Sequence, residues 1–157
     1  MSKNKKTSDA ELANNRKAFH NYDILDTFEA GIALVGTEVK SLRDHGGSIQ
    51  DAYVVISENE ALLKNASIAP YNFGNIHNHE ERRTRKLLLH KRELAKLDTF
   101  CREKGLTLVA LAMYLKNGLV KVKIAVARGK KLHDKRSALK EREQKRSIDR
   151  AYHNDQD

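Results

Sequence analysis

The sequence has one cysteine, one proline and no tryptophan in 157 positions. A lone Cys101 cannot form an intramolecular disulfide, so the chain is expected to fold without crosslinks, and a reducing, cytoplasmic setting is the default. Long hydrophobic runs are also missing. The longest, Leu108 to Leu115, has eight residues where a bilayer-spanning helix needs roughly 20, so no membrane partner is expected. The N-terminal MSKNKKTS carries charge with no apolar stretch behind it and does not read as a secretory leader. Phosphate loops and dinucleotide fingerprints are absent. His77 and His79 lie two apart in a polar stretch without a Cys or a third ligand at metal spacing, so they read as solvent-exposed loop histidines, and neither metal nor cofactor is expected.

What is present in excess is positive charge. Thirty Lys and Arg against 21 Asp and Glu leave a formal charge of +9. The excess is uneven: +3 over residues 1–20, −5 over 21–79, then +4 over 80–92, +3 over 93–127 and +4 over 128–157. A mildly acidic stretch flanked by basic ones is the sequence footprint of a polyanion-binding surface. The length fits one domain with an appendage.

Residues 1–14 are polar and without periodicity and read as a flexible arm. From Tyr22 to Val35 the apolar residues keep even spacing around Gly31, which predicts a long strand bent at a glycine bulge. Gly36 and Thr37 open a short helix that Gly46 and Gly47 close. Strands follow at 52–56 and 61–68, the second stopped by Pro70, and then a long loop, 71–85. After the apolar run 86–89, Glu93 three residues beyond His90 suggests a capping box for a longer helix. Its apolar face is Leu94, Leu97, Phe100 and Cys101, which makes Cys101 a packed core thiol.

The clearest local signal is Asn117-Gly118 between two β-prone runs, the preferred two-residue hairpin turn. Counting outward from it pairs Leu115 with Val120, Tyr114 with Lys121, Met113 with Val122, Ala112 with Lys123 and Leu111 with Ile124. One face is then wholly apolar. The other presents Tyr114 beside Lys121 and Lys123, suited to RNA rather than to packing. Five or six strands with a short and a longer helix predict a mainly β fold with α, a small OB-type barrel over residues 15–128. A split sheet with two helices on one side is the competing architecture.

Residues 129–157 hold 15 charged and only six apolar side chains, too few to offset the entropy of ordering them. This basic tail is expected to be disordered alone and, lacking Gly and Pro from Ser137 to Tyr152, to become helical in an RNA groove.

Arg82, Arg83, Arg85, Lys86, Lys121 and Lys123 are candidate phosphate contacts. Selection among RNAs needs groups that meet base edges or stack on bases, and His20, Tyr114 and Glu29 are the candidates. The residues alone leave open a generic basic RNA-binding or ribosomal protein, and a histidine-dependent ribonuclease using, for instance, His20 and His45.

Four stretches narrow the choice. NRKAFHNYDILDTFEAGIALVGTEVKSLR (15–43), RTRKLLLHKREL (83–94), GLTLVALAMYLKNGLVKVKIAVARGKKLHDKR (105–136) and the charged tail closely resemble the bacterial SsrA-binding protein (small protein B) family, in order and over about residues 15–152. The resemblance implies an OB-type barrel, acting as a monomer, that binds the tRNA-like domain of transfer-messenger RNA and brings it to stalled ribosomes for trans-translation. It implies no catalysis and no cofactor. RNA contacts would come from Asn15, Arg16, Lys17, His20, Glu29, Lys86, Leu88 and Lys121. The tail would enter the empty messenger channel of the small subunit, with Gly129, Lys130, Lys131, His133, Asp134, Lys135 and Arg136 against rRNA near the decoding centre. Ile148 and Tyr152 would be its far anchors. Two departures stand out: Phe19 replaces a usual arginine, and Gln144 replaces a large aromatic found in some members.

Overall fold

In the computed structural model, which describes residues 10–72, 78–103 and 105–130, the chain runs through β1 (Glu11–Asn14), α1 (Arg16–Asn21), β2 (Tyr22–Ile32), α2 (Gly36–His45), β3 (Tyr53–Ser57), β4 (Glu60–Lys64), β5 (Arg85–Leu88), α3 (Lys91–Arg102), β6 (Leu106–Lys116) and β7 (Leu119–Gly129). All pairings are antiparallel. The order β6-β3-β4-β5-β2-β7 returns to β6 and closes a six-stranded barrel, and β1 extends the same edge of β6 that β3 joins. This is the expected OB-type architecture, and a closed ring of this kind excludes the split sheet. Its interior is filled by Leu42, Ile49, Leu63, Ile68, Leu97, Leu108, Met113, Val122, Ile124 and Val126, all essentially inaccessible to solvent.

The predicted arm and the domain limits both move. Residues 11–14 form β1 instead of a mobile segment, because Leu12 and Ala13 cover the free edge of β6 beyond the end of β3. Leu115 N–H donates to the Ala10 carbonyl at 2.9 Å and Gly47 N–H to that of Leu12 at 3.1 Å, so the barrel's hydrogen bonding includes Ala10. Close approach also explains the Gly46-Gly47 pair: Gly46 has φ of +72°, and a Cβ there would lie 2.6 Å from the Leu12 carbonyl oxygen. At the other end β7 continues through Gly129, and Lys130 N–H donates to the Asn21 carbonyl at 2.9 Å. Residues 131–157 lie outside the described residues, and with them the expected state of the tail.

Two β-bulges change which residues face outward. In β2 the irregularity falls at Leu25, between Ile24 opposite Ala127 and Asp26 opposite Val126, and not at Gly31. Gly31 stays in register because it serves a different need: a Cβ there would stand 3.3 Å from Leu88 Cβ on the neighbouring strand. In the β6–β7 hairpin the four pairs nearest the turn are those counted from the sequence, but Leu111 bulges and Ala110, not Leu111, faces Ile124. The bulge swings Leu111 to the outside of the barrel, where it joins Val109, Ala125, Ala127 and Ala18 in a second apolar cluster. The outer hairpin face therefore does pack something: α1, unforeseen in the sequence, covers one half of it.

α3 is capped as expected, with His90 N–H donating to the Glu93 carboxylate at 3.4 Å. Leu97 is buried, but Cys101 is exposed rather than in the core, one position past the stripe of Leu94, Leu97 and Phe100. His79 is half-buried rather than a free loop residue. Its Nε2 lies 2.8 Å from the Ile68 carbonyl and its Nδ1 2.9 Å from the Thr37 hydroxyl; a carbonyl only accepts, so Nε2 carries the proton. His77 lies outside the described residues.

The deepest polar feature is Glu38 of α2, fully buried and clamped by two arginines. Arg85 Nε and Arg83 Nη2 bond its two carboxylate oxygens, Arg83 Nε adds a bond of 3.1 Å, and Val35 N–H donates at 3.0 Å. Arg85 is itself fully buried. Its remaining N–H groups reach the carbonyls of Ala66 at 2.8 Å, Arg83 at 3.1 Å, Glu81 at 3.0 Å and Glu80 at 3.4 Å. Arg83 and Arg85 are thus structural cations, not the phosphate contacts that the loop's composition suggests.

Burial pushes the Glu38 carboxyl up, but Arg83, the Val35 amide and Arg85 together outweigh it and hold the group below its ordinary value of 4.5. Folding therefore lowers its proton affinity, so its contribution to stability is full above pH 4.5 and is lost as pH falls below that through the folded-state value. Glu38→Ala leaves Arg85 buried without its partner and is expected to cost about 3–5 kcal/mol in denaturant unfolding. Glu38→Gln should show a shallower loss of stability than the parent between neutral and acid pH. Parallel acid profiles for the two proteins would mean that folding does not lower the proton affinity of Glu38.

Candidate nucleic-acid interface

Along β7 the even positions Val120, Val122, Ile124 and Val126 point into the barrel, so Lys121, Lys123, Ala125 and Ala127 point out. Ala125 and Ala127 are covered by α1 through Ala18. The rest of this face, shared by β5, β2, β7 and β6, is left uncovered by the described residues. Here the register draws residues from five strands into one row: Leu88 opposite Gly31, Gly31 opposite Lys121, Lys121 opposite Tyr114, and Tyr114 opposite Glu11 of β1. At roughly 4.8 Å per strand the row spans about 19 Å. The adjacent row is Glu29, Lys123, Ala112 and Asn14.

Leu88 is 54% exposed, unusual for a leucine in the middle of a sheet face. It borders an open groove of about 370 Å³ together with Glu29, Gly31, Lys121, Leu89, His90 and Glu93. The absence of a side chain at Gly31 brings the row close to the backbone between Leu88 and Lys121.

Glu29 is a carboxylate set among lysines on this surface, and it is held. The Tyr114 hydroxyl reaches over β7 to donate to it, and Lys116 Nζ lies 3.3 Å and 3.4 Å from its two oxygens. The Tyr114 bond is the largest cause that draws the carboxyl below its ordinary value of 4.5; desolvation opposes it, and Lys116 and the nearby Lys121 add to the lowering. Glu29 therefore presents an ionised, acceptor-only group between Lys121 and Lys123. Sequence reasoning misses Lys116, although it lies two residues after Tyr114 and so on the same strand face. It also marks His90 and Glu93 for capping alone.

α1 places Arg16, Lys17 and His20 at the other end of the same outer face, with Arg16 and Lys17 exposed and His20 half-buried. Asn15 has a different task from the direct contact expected of it. It is 3% exposed; its Oδ1 accepts from Ala18 N–H at 3.3 Å, and its Nδ2 donates to the carbonyls of Ala110 at 2.9 Å and Ile49 at 3.2 Å. The buried amide caps α1 and fixes it to β6 and to the segment before β3. Phe19 is half-exposed on α1, and its carbonyl accepts from Lys130 Nζ at 3.3 Å.

Lys86 lies on the outer face of β5, where it pairs with Glu60 at 3.1 Å; both side chains are about half exposed, and such a pair opens at little cost. Of the tail residues, Gly129 ends β7 opposite Tyr22, and Lys130 is tied to Asn21 and Phe19. Lys131, His133, Asp134, Lys135, Arg136, Ile148 and Tyr152 lie outside the described residues. His20 lies in the last turn of α1 and His45 ends α2, and no hydrogen bond joins either to another side chain among the described residues. No cluster of three or more His, Cys, Asp or Glu suited to a metal occurs among them either, and no described helix is long and apolar enough to cross a membrane.

Residues 12–154 match the family model described as SmpB protein. An SsrA-binding protein of Chlamydia muridarum is 63% identical over 138 residues, covering 88% of this chain and 91% of the relative. One of Staphylococcus haemolyticus is 52% identical over 151 residues, covering 96% and 97%. Among solved structures, a chain from "tmRNA-SmpB: a journey to the center of the bacterial ribosome" superimposes with a TM-score of 0.65 at 49% identity, over 76% of this chain and 84% of that one.

The hold on Glu29 can be tested by itself. Tyr114→Phe removes the main cause of its lowered pKa, so the Glu29 carboxyl, followed by NMR, should titrate at higher pH than in the parent. Lys116→Ala should move it in the same direction. An unmoved titration in Tyr114→Phe would mean that the bond does not form in solution.

Proposed function

The chain belongs to the SmpB family, and from that premise we propose that it is a non-enzymatic RNA-binding protein that grips the tRNA-like domain of transfer-messenger RNA and delivers it to stalled ribosomes for trans-translation. The observation that carries this reading is the row Leu88, Gly31, Lys121 and Tyr114, with Lys123 and Glu29 beside it. Lysines there neutralise backbone phosphates and release counterions, which supplies affinity without sequence preference. Selection falls to the groups between them. An exposed Leu88 and the Tyr114 ring offer apolar and stacking contact to a base, and the ionised Glu29 accepts only from donors such as base amino groups or 2′-hydroxyls. Arg16, Lys17 and His20 of α1 would extend the contact along the same face, with Asn15 acting through the placement of α1, and Lys86 would add a phosphate contact at the groove's far side.

The tail is proposed to act separately. Gly129 and Lys130 lead out of the barrel, and Lys131, His133, Asp134, Lys135 and Arg136 would lie along small-subunit rRNA near the decoding centre, in the messenger channel left empty by a broken message. Ile148 and Tyr152 would anchor its far end. Such a protein works in the cytoplasm as a monomer, with the RNA and the ribosome as its partners. A generic basic RNA binder is the alternative, and it differs in showing no preference for a tRNA-like fold.

Binding of the full chain to the tRNA-like fragment, with ordinary tRNA and a plain duplex as competitors at two salt concentrations, separates the two readings. Preference that survives the higher salt supports the proposal, and equal competition by all three RNAs overturns it. Lys121→Ala should weaken binding and reduce the slope of log affinity against log salt by about 1. Truncation after Lys130 should leave RNA binding intact and abolish peptide tagging on stalled ribosomes.

A further inference from the structure

On the outer face of the barrel, beyond the Lys121 and Lys123 rows, a third runs from Thr27 through Ala125 and Val109 to Tyr53. Lys121 and Ala125 are four residues apart on β7, so this row lies about 13 Å along the strand from the Lys121 row at roughly 3.3 Å per residue. At its Tyr53 end, between α1 and the segment leading into β3, is a pocket of about 580 Å³. That volume is within the range of roughly 300–1,000 Å³ typical of small-molecule sites.

Its lining is chemically divided. Val109 and Ala18, both buried, form an apolar floor, and Tyr53 stands beside them with 43% of its surface exposed. Asn21, Gln50 and Asp51 bring two side-chain amides and a carboxylate. None of these three side chains, nor the Tyr53 hydroxyl, has a hydrogen-bond partner among the described residues. Lys17 of α1 also borders the pocket, and nothing in the described structure neutralises it. The opening is held by one buried side chain: the Asn15 amide bonds α1 on one side and the Ile49 carbonyl, next to Gln50, on the other.

An aromatic ring beside an apolar floor, amides with both donor and acceptor, and a bordering cation are together the requirements of an unstacked nucleotide. We propose that this pocket takes a single nucleobase splayed out of the bound RNA, stacked on Tyr53, with its edge met by Gln50, Asn21 and Asp51 and its phosphate by Lys17. The site rests on the RNA-binding reading above and adds shape selection to it: a duplex has no free base to offer, whereas a folded RNA with an unpaired nucleotide about 13 Å from the Lys121 row does.

The test uses the full chain and the tRNA-like fragment, with a duplex as control. Tyr53→Ala should weaken binding of the fragment about 5- to 100-fold, leave duplex binding unchanged, and leave the salt slope unchanged because no phosphate contact is lost. Tyr53→Phe keeps the ring and should retain nearly all the affinity. Gln50→Ala, in an exposed turn where its side chain makes no hydrogen bond to the described residues, should cost about two- to tenfold on the fragment alone and stands in if Tyr53→Ala lowers thermal stability. Parent-like fragment binding by both Tyr53→Ala and Gln50→Ala overturns the pocket while leaving the wider reading intact. Equal losses on fragment and duplex overturn it too. A parent protein that does not prefer the fragment to the duplex overturns the RNA-binding reading itself, and the pocket with it.

Discussion

The Glu38 carboxylate, buried between Arg83 and Arg85, is the interaction on which the rest of the barrel depends. The ladders around the ring are unequal in length. β2 and β7 are joined by nine register pairs and β6 and β7 by ten, but β2 and β5 by only two, Gly31 with Leu88 and Ile32 with Leu87. At that seam the ions act in place of a longer ladder. Glu38 lies on α2, just after β2; Arg85 begins β5; and Arg83 also reaches the Ala33 carbonyl at 3.4 Å beyond the end of β2. Arg85 further collects the carbonyls of Ala66, Glu80 and Glu81, all outside the strands. A buried ion pair is not intrinsically more stable than an apolar core of the same volume. Its use here is placement, since it fixes where β5 runs, and Leu88 on β5 begins the row proposed to meet RNA.

The candidate face shows the complementary use of charge at the surface. Lys121, Lys123 and Lys116 repel one another, and a carboxylate among them lowers that cost. Glu29 does so without burial, and its Tyr114 bond also pins the aromatic ring across β7. A strap of this kind removes rotamer freedom from Tyr114 and Glu29 before any ligand arrives, so less entropy is lost on binding.

Much of this is legible in the residues, and the exceptions have identifiable causes. The Asn117-Gly118 turn fixes the pairing of Tyr114 with Lys121 by counting alone, because a two-residue turn leaves one register. The count fails at Leu111, since nothing in an apolar run marks which residue will bulge; Leu25 escapes for the same reason. Arg85 is misplaced by composition, which gives a residue's type but not its side of the strand. In β5 the inward positions are Arg85 and Leu87, and a guanidinium can occupy the interior only because Glu38, 47 residues away in sequence, is there to meet it. α1 has six residues, too few to show periodicity or to be stable in isolation. Its one local signal is Asn15, a good N-cap residue whose polar side chain reads equally well as a ligand contact.

Asn15 and Glu38 also show why site and scaffold cannot be separated in this protein. Each is a polar group deep in the barrel wall, each has its hydrogen bonds made by the protein, and each holds an element that carries exposed candidate residues: α1 for Asn15, β5 for Glu38. A protein that recognises a folded RNA mainly by shape must hold its contacts at fixed separations, because phosphate charge alone confers affinity on any RNA. In the proposed mode, discrimination arises from spacing: the row from Leu88 to Tyr114, and α1 farther along the same face. The spacing is set by strand register in one direction and by two buried side chains in the other. Loss of either buried anchor would therefore be felt as loss of selectivity before loss of charge attraction, since every lysine and arginine proposed to meet phosphate would still be present on the surface.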